Sequence, residues 1–232
     1  MPDAKPKESA GKPAGVDTSA AAPGSGPPAG TDAPGEITPS QPVIGAPQLG
    51  TTTVNGGMFK SSPDGPADVP TMVYVTANGS RAIKFKAKFA IDADGAGDAW
   101  KGDRTGQPQT ALQYKDGTSL NPRTLPFIVV PTDFQKTHPT VKLGDYAAVT
   151  YGAKTLYAIV GDKGPAGVLG EGSMALAAGL GINPDPNRGG ITRKDVEYVI
   201  LPGSRDAEPP RDAAAIQTQG KKVFDAAGAP VR

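Results

Sequence analysis

The sequence predicts a mainly β protein, a barrel or sandwich of short strands with little helix. Three observations carry this. The 232 residues include 31 glycines and 25 prolines, nearly a quarter of the chain, and both residues penalise helix interiors. Apolar runs of strand length recur between turn signals over residues 50–204. One stretch alone reads convincingly as a helix.

The elements follow in order. Residues 1–48 hold 10 Pro, 9 Ala and 7 Gly and no aromatic residue. Such a segment cannot bury enough apolar surface to offset its chain entropy, so a disordered tail is expected. A folded unit is expected over residues 49–204. Met72–Val75 is its first apolar run. Phe85, Ala87, Phe89 and Ile91 then alternate with Lys84, Lys86, Lys88 and Ala90, which predicts a strand with one basic, solvated face. Leu125–Val130 is a continuous apolar run bounded by proline. Asp145–Tyr151 and Thr155–Gly161 flank Gly152-Ala153-Lys154 and read as a hairpin. Ser173 can cap a helix over Met174–Leu180, with Gly181 as its stop. Val196–Leu201 is a late strand. Residues 205–232 read as a polar tail, part helical over Arg211–Ala227 and interrupted by Gly220. No repeat of 20–50 residues occurs.

Composition narrows the chemistry. Lysine and arginine number 24 against 23 acidic residues, a net charge of +1. No nucleic-acid partner is expected from that balance, and no apolar run approaches the length of a membrane span. The absence of cysteine excludes disulfides, thiolate nucleophiles and Cys-based zinc sites. A single histidine, His138, excludes multi-histidine metal sites. It lies in a loop-like Lys-Thr-His-Pro context and reads as a surface residue. No G-x-S-x-G occurs to pair with it, so the acid–base equipment is mainly carboxylate.

Tyr157–Ile182, YAIVGDKGPAGVLGEGSMALAAGLGI, is the most informative segment. It places Asp162 where a strand ends and Glu171 just before the Ser173 cap. Two carboxylates on irregular backbone beside rigid elements are what glycoside hydrolysis uses. By spacing alone, a turn aspartate and a capping glutamate explain them equally well.

The segment resembles the core of glycoside hydrolase family 75, the fungal-type chitosanases. Gly161, Asp162, Gly164, Pro165, Gly170, Glu171, Ser173, Leu176, Ala177 and Leu180-Gly181-Ile182 meet the family pattern. Ile91–Gly95, Gln109–Pro131 and Gly144–Asp162 resemble flanking family motifs in the same order. The segment is also similar to the signature of double-psi β-barrels. The resemblance therefore implies a six-stranded double-psi β-barrel with short helices. It implies a glycosidase that cuts β-1,4 linkages within chitosan by an inverting, two-carboxylate mechanism.

Carried over by position, the catalytic pair is Asp162 and Glu171. Glu171 is assigned as acid and Asp162 as base, though sequence alone leaves the reverse open. The resemblance makes Asp92 and Asp94 an acidic subsite for a cationic polymer, with Trp100 a candidate sugar-stacking residue. No cofactor is expected. No metal is assigned, because the Asp92–Asp98 run lacks the ligands that would complete a calcium loop. The implied partner is a polysaccharide, with the protein a monomer. Peptidoglycan or another amino-sugar polymer is an alternative substrate, and a non-catalytic glycan-binding barrel an alternative role. Family members are commonly secreted and carry cysteine near the early acidic motif. Here that cysteine is absent and the N-terminus has no apolar signal region, so the extracellular location that the resemblance implies would need a non-classical or specialised export route, with a cytoplasmic location the alternative.

Overall fold

The computed structural model describes residues 53–228. The Pro/Ala/Gly-rich segment 1–48 lies outside the described residues. The described residues form eight strands: β1 (Thr53–Lys60), β2 (Ala67–Val75), β3 (Arg81–Asp92), β4 (Phe127–Pro131), β5 (Tyr146–Tyr151), β6 (Lys154–Gly164), β7 (Glu171–Ser173) and β8 (Ile191–Ile200). The helices are α1 (Phe134–Thr137), α2 (Met174–Leu180) and α3 (Ala213–Gly228). No described helix is long and apolar enough to cross a membrane.

Six strands close into a barrel in the order β3-β7-β4-β6-β5-β8, with β8 returning to β3. The expected six-stranded barrel is thus found. β3–β7 and β4–β6 pair in parallel, and the other barrel pairs are antiparallel. Closure removes the free edges that an open sheet of this size would expose. The β1–β2 hairpin is added at the first half of β3, leaving its second half for β7.

Alternation along the strands sorts the core into two layers. Ile128 and Val130 of β4 join Phe89, Val160, Tyr198 and Ile200 in one buried cluster. Phe127 and Val129 join Tyr146, Ile159 and Val199 in another, which also contains Ile216 and Phe224 of α3. The first cluster therefore fills the barrel, and the second packs the outside of its wall beneath α3. Residues 205–228 are accordingly more than a polar tail. Nor does Gly220 interrupt α3. It is buried against the Tyr157 ring, where a Cβ would come within 2.4 Å of Tyr157 Cβ.

His138 corrects the expectation of a surface residue. It is 4% exposed, packed between Phe59 and Phe134. Its Nε2 is 3.0 Å from Thr71 Oγ1. Burial lowers its pKa to about 4. His138 does lie in a loop, but the β1–β2 hairpin covers it, and β1 has no strong signature in the sequence.

Candidate active site

Strand β3 obeys its period-2 pattern. Phe85, Phe89 and Ile91 face the barrel interior, which turns Lys88, Ala90 and Asp92 outward. The basic face is only partly the solvated one expected. Lys84 and Lys86 meet Glu197 at 2.7 and 4.0 Å, whereas Lys88 lines a cleft with Asp92.

Glu171 opens β7 and is in register with Ala90 on one side and Val129 on the other. Gly170 makes this possible. Its φ is +98°, and a Cβ there would lie 2.5 Å from the Lys88 carbonyl oxygen. Ser173, two residues on, ties β7 to its surroundings. Its Oγ accepts from the N–H groups of Phe127 and Leu176 and donates to the Leu125 carbonyl. Gly181, with φ +80°, ends the helix as expected.

Asp162 reaches the same outer face through a bulge. Val160 pairs with Ile128 but Asp162 pairs with Val129, so Gly161 is an extra residue on β6. Strict alternation would turn Asp162 inward behind Val160. The inserted residue re-aims it. Only glycine fits at the bulge, because a Cβ on Gly161 would come within 2.6 Å of Phe127 Cβ and 2.8 Å of Leu120 Cδ1. The result is one row across four neighbouring strands: Ala90, Glu171, Val129, Asp162.

This row floors a cleft of about 380 Å³, whose lining includes Lys88, Asp92, Asp94, Asp103, Asp162 and Glu171. The long β3–β4 connection forms one wall. Asp94 Oδ1 accepts from the Gln107 N–H at 2.6 Å, and Asp92 Oδ1 from the Asp94 N–H at 2.7 Å. Asp92, Asp94 and Asp162 each place an oxygen within 4.8 Å of the others, a spacing that a single cationic group could share. Trp100 is placed differently. It lies in a 3₁₀ turn at Ala99–Gly102, donates to the Gly97 carbonyl and does not line the cleft.

The two carboxyls flanking Val129 differ in environment. Asp162 Oδ1 accepts backbone N–H groups from Ala111 at 2.8 Å and Lys163 at 2.7 Å. Its pKa is raised by burial, and these two donors hold the rise back. Glu171 has no hydrogen-bond partner among the described residues. Burial raises its pKa to about 7, helped by the negative charges of Asp94, Asp162 and Asp103 and opposed by Lys88. Burial also lifts Asp92 well above the ordinary carboxyl range, reinforced by Glu171 and Asp162. Asp94 rises to about 6, chiefly from burial. Glu171 is thereby poised to exchange a proton near neutral pH.

Sequence reasoning thus singled out four of the cleft carboxyls, Asp92, Asp94, Asp162 and Glu171. It missed Asp103, and it placed Lys88 on an open face. The odd lysine in an otherwise acidic neighbourhood was the available signal, but only pairing with β7 shows which carboxyl it accompanies.

The model of the family described as fungal chitosanase of glycosyl hydrolase group 75 matches residues 89–229. The match covers β4 to β8, all three helices and every cleft residue named above except Lys88, which lies one position before it. No curated protein matches the chain.

Proposed function

The chain belongs to the fungal chitosanase family of glycosyl hydrolase group 75, so it is a glycosidase of chitosanase type with a polysaccharide substrate, and we propose that it cuts β-1,4 linkages within chitosan with inversion at the anomeric carbon. Asp162 and Glu171 are the pair we assign to the chemistry. The observation that carries the assignment is their contrast across Val129: one carboxyl held by two N–H donors, the other without a partner and biased toward its protonated form.

Glu171 then acts as the acid. It donates its proton to the leaving glycosidic oxygen as the bond to the anomeric carbon breaks. Asp162 acts as the base. Its hydrogen bonds favour the ionised state, which accepts a proton from water as the water oxygen bonds to the opposite face of that carbon. Solvent returns a proton to Glu171 and removes one from Asp162. The two residues stand two strand spacings apart, roughly 9–10 Å between Cα atoms. Inversion needs room for a water between the two carboxyl groups, which stand roughly 6.5–9.5 Å apart in inverting enzymes. Asp92 and Asp94 are proposed to receive the ammonium groups of glucosamine units.

The test is hydrolysis of chitosan followed by reducing-end release and by early-time NMR of the new anomeric centre. The wild type should release oligosaccharides whose first-formed reducing ends are α. Glu171→Gln and Asp162→Asn should each lose at least about 1,000-fold in rate, the scale of positioned acid–base catalysis with electrostatic support, while keeping wild-type circular dichroism. First-formed β reducing ends would overturn inversion. Activity retained in both variants would overturn the assignment of the pair.

A further inference from the structure

Lys88 is a cation built into a cleft of carboxyls. It projects from the outward face of β3, two residues before Ala90, the register partner of Glu171. Its position is held firmly. The Lys88 carbonyl accepts from the buried Tyr198 hydroxyl at 2.9 Å, and the absence of a side chain at Gly170 leaves room for its Cγ, which a Cβ there would approach to 3.0 Å. The other two lysines of this face are satisfied by Glu197. Among the described residues, Lys88 forms no ion pair within 4.0 Å. For a protein that takes a cationic polymer, a lysine here works against ground-state binding. Its placement calls for a different explanation.

We propose that Lys88 is a positioning residue for the hydrolytic step, its ammonium stabilising the Glu171 carboxylate that remains once the proton has passed to the leaving oxygen. This rests on the reading of Glu171 as the acid. As the glycosidic bond breaks, Asp162 takes up a proton from water and Glu171 gains a negative charge in the field of Asp94 and Asp103. Like charges at this range oppose proton donation. A fixed cation on the adjacent strand offsets that cost as the charge develops, and needs no rearrangement to do so.

The surrounding charges support this role. Asp94 and Asp103 from the β3–β4 connection and Asp162 from β6 all disfavour ionised Glu171. Asp92 on β3 and Lys163 on β6 also face the cleft, and Tyr198 of β8 lies behind Glu171 in the barrel. Lys88 is the charge that favours the ionised form.

The experiment compares wild type, Lys88→Met, Lys88→Arg and Glu171→Gln on a soluble chitosan hexasaccharide across pH. The substrate's own ammonium groups titrate identically in every arm. With Lys88→Met, the alkaline limb of the kcat profile should move up by about one pH unit, within the range for loss of a nearby opposite charge. The plateau kcat should fall several-fold while KM does not rise. Lys88→Arg should restore the wild-type limb. An unmoved limb in Lys88→Met, or a rise in KM with kcat unchanged, overturns the proposal. Should Lys88→Met fail to fold by circular dichroism, Lys88→Gln is read by the same criteria. Failure of the underlying reading is separable: it shows as activity retained in Glu171→Gln, or as an acidic rather than an alkaline limb that moves in Lys88→Met.

Discussion

Asp162 and Glu171 stand opposite the same residue, Val129, from its two sides. One lies on a strand parallel to β4, the other on a strand antiparallel to it. Their common register puts both carboxyls on the outer face of the barrel wall, in a cleft that also holds Asp92 and Asp94. Crowding of these groups has a cost, and the cost depends on pH.

That dependence gives the first prediction. The Glu171 pKa is raised to about 7 from 4.5, mainly by burial. The folded protein binds this proton more tightly than the unfolded chain does. Stability from this group is full below pH 4.5 and is lost as pH rises through 7. Asp94, raised to about 6 from 3.8, acts in the same sense. Glu171→Gln should therefore be more stable than wild type at pH 8, by at most about 3 kcal/mol, with little difference at pH 4.5. Urea unfolding at both pH values measures this. A constant difference between the two would contradict it.

His138 has the opposite sign. Its pKa is lowered to about 4 from 6.5 by burial, so the unfolded chain binds the proton more tightly. Stability from this group is full above pH 6.5 and is lost as pH falls through 4. Wild type should lose more stability between pH 6.5 and 4 than His138→Gln does. Thermal melts of both proteins at four or five pH values give the two slopes, and parallel slopes would refute the expectation.

Gly161→Ala tests the bulge. The new methyl group would meet Phe127 Cβ at 2.6 Å and Leu120 Cδ1 at 2.8 Å, both in the packed outer layer. Overpacking of this kind costs about 1–3 kcal/mol. Relief by shifting β6 would carry Asp162 with it, along with its bonds from Ala111 and Lys163. Lowered stability should thus come with a fall in kcat larger than partial unfolding explains, measured at a temperature where the variant is fully folded.

Ser173→Ala tests the anchoring of β7. Loss of Oγ leaves the Phe127 and Leu176 N–H groups and the Leu125 carbonyl short of a partner in a fully buried position. A loss of about 3 kcal/mol is expected from the unsatisfied groups and the missing cap. Denaturant titration reads it directly. A change under about 0.5 kcal/mol would mean that other groups or water take over these bonds.

Much of this architecture was legible in local pattern. The alternation from Phe85 to Ile91 sets which side of β3 faces the core, and both ends of α2 carry their signals at Ser173 and Gly181. The acidic positions 92, 94, 162 and 171 stood out as a set because several motifs occur in order. What escaped has a physical reason in each case. β7 has three residues, too few for any period. β1 carries glycines and two register shifts that blur its alternation. Gly220 reads as a breaker because the Tyr157 ring that requires it is distant in sequence.

The sequence by itself determined which groups are available: no thiol, one imidazole, and carboxylates in glycine-rich turns next to a strand and a helix start. Those are properties of residue type and short spacing, which local pattern expresses. Only the tertiary structure decided that Asp162 and Glu171 share a row, that Lys88 accompanies Glu171, and that His138 is buried. Each depends on the register between strands far apart in sequence. A one-residue bulge at Gly161 was enough to choose the face on which Asp162 emerges, since side chains alternate with a period of two.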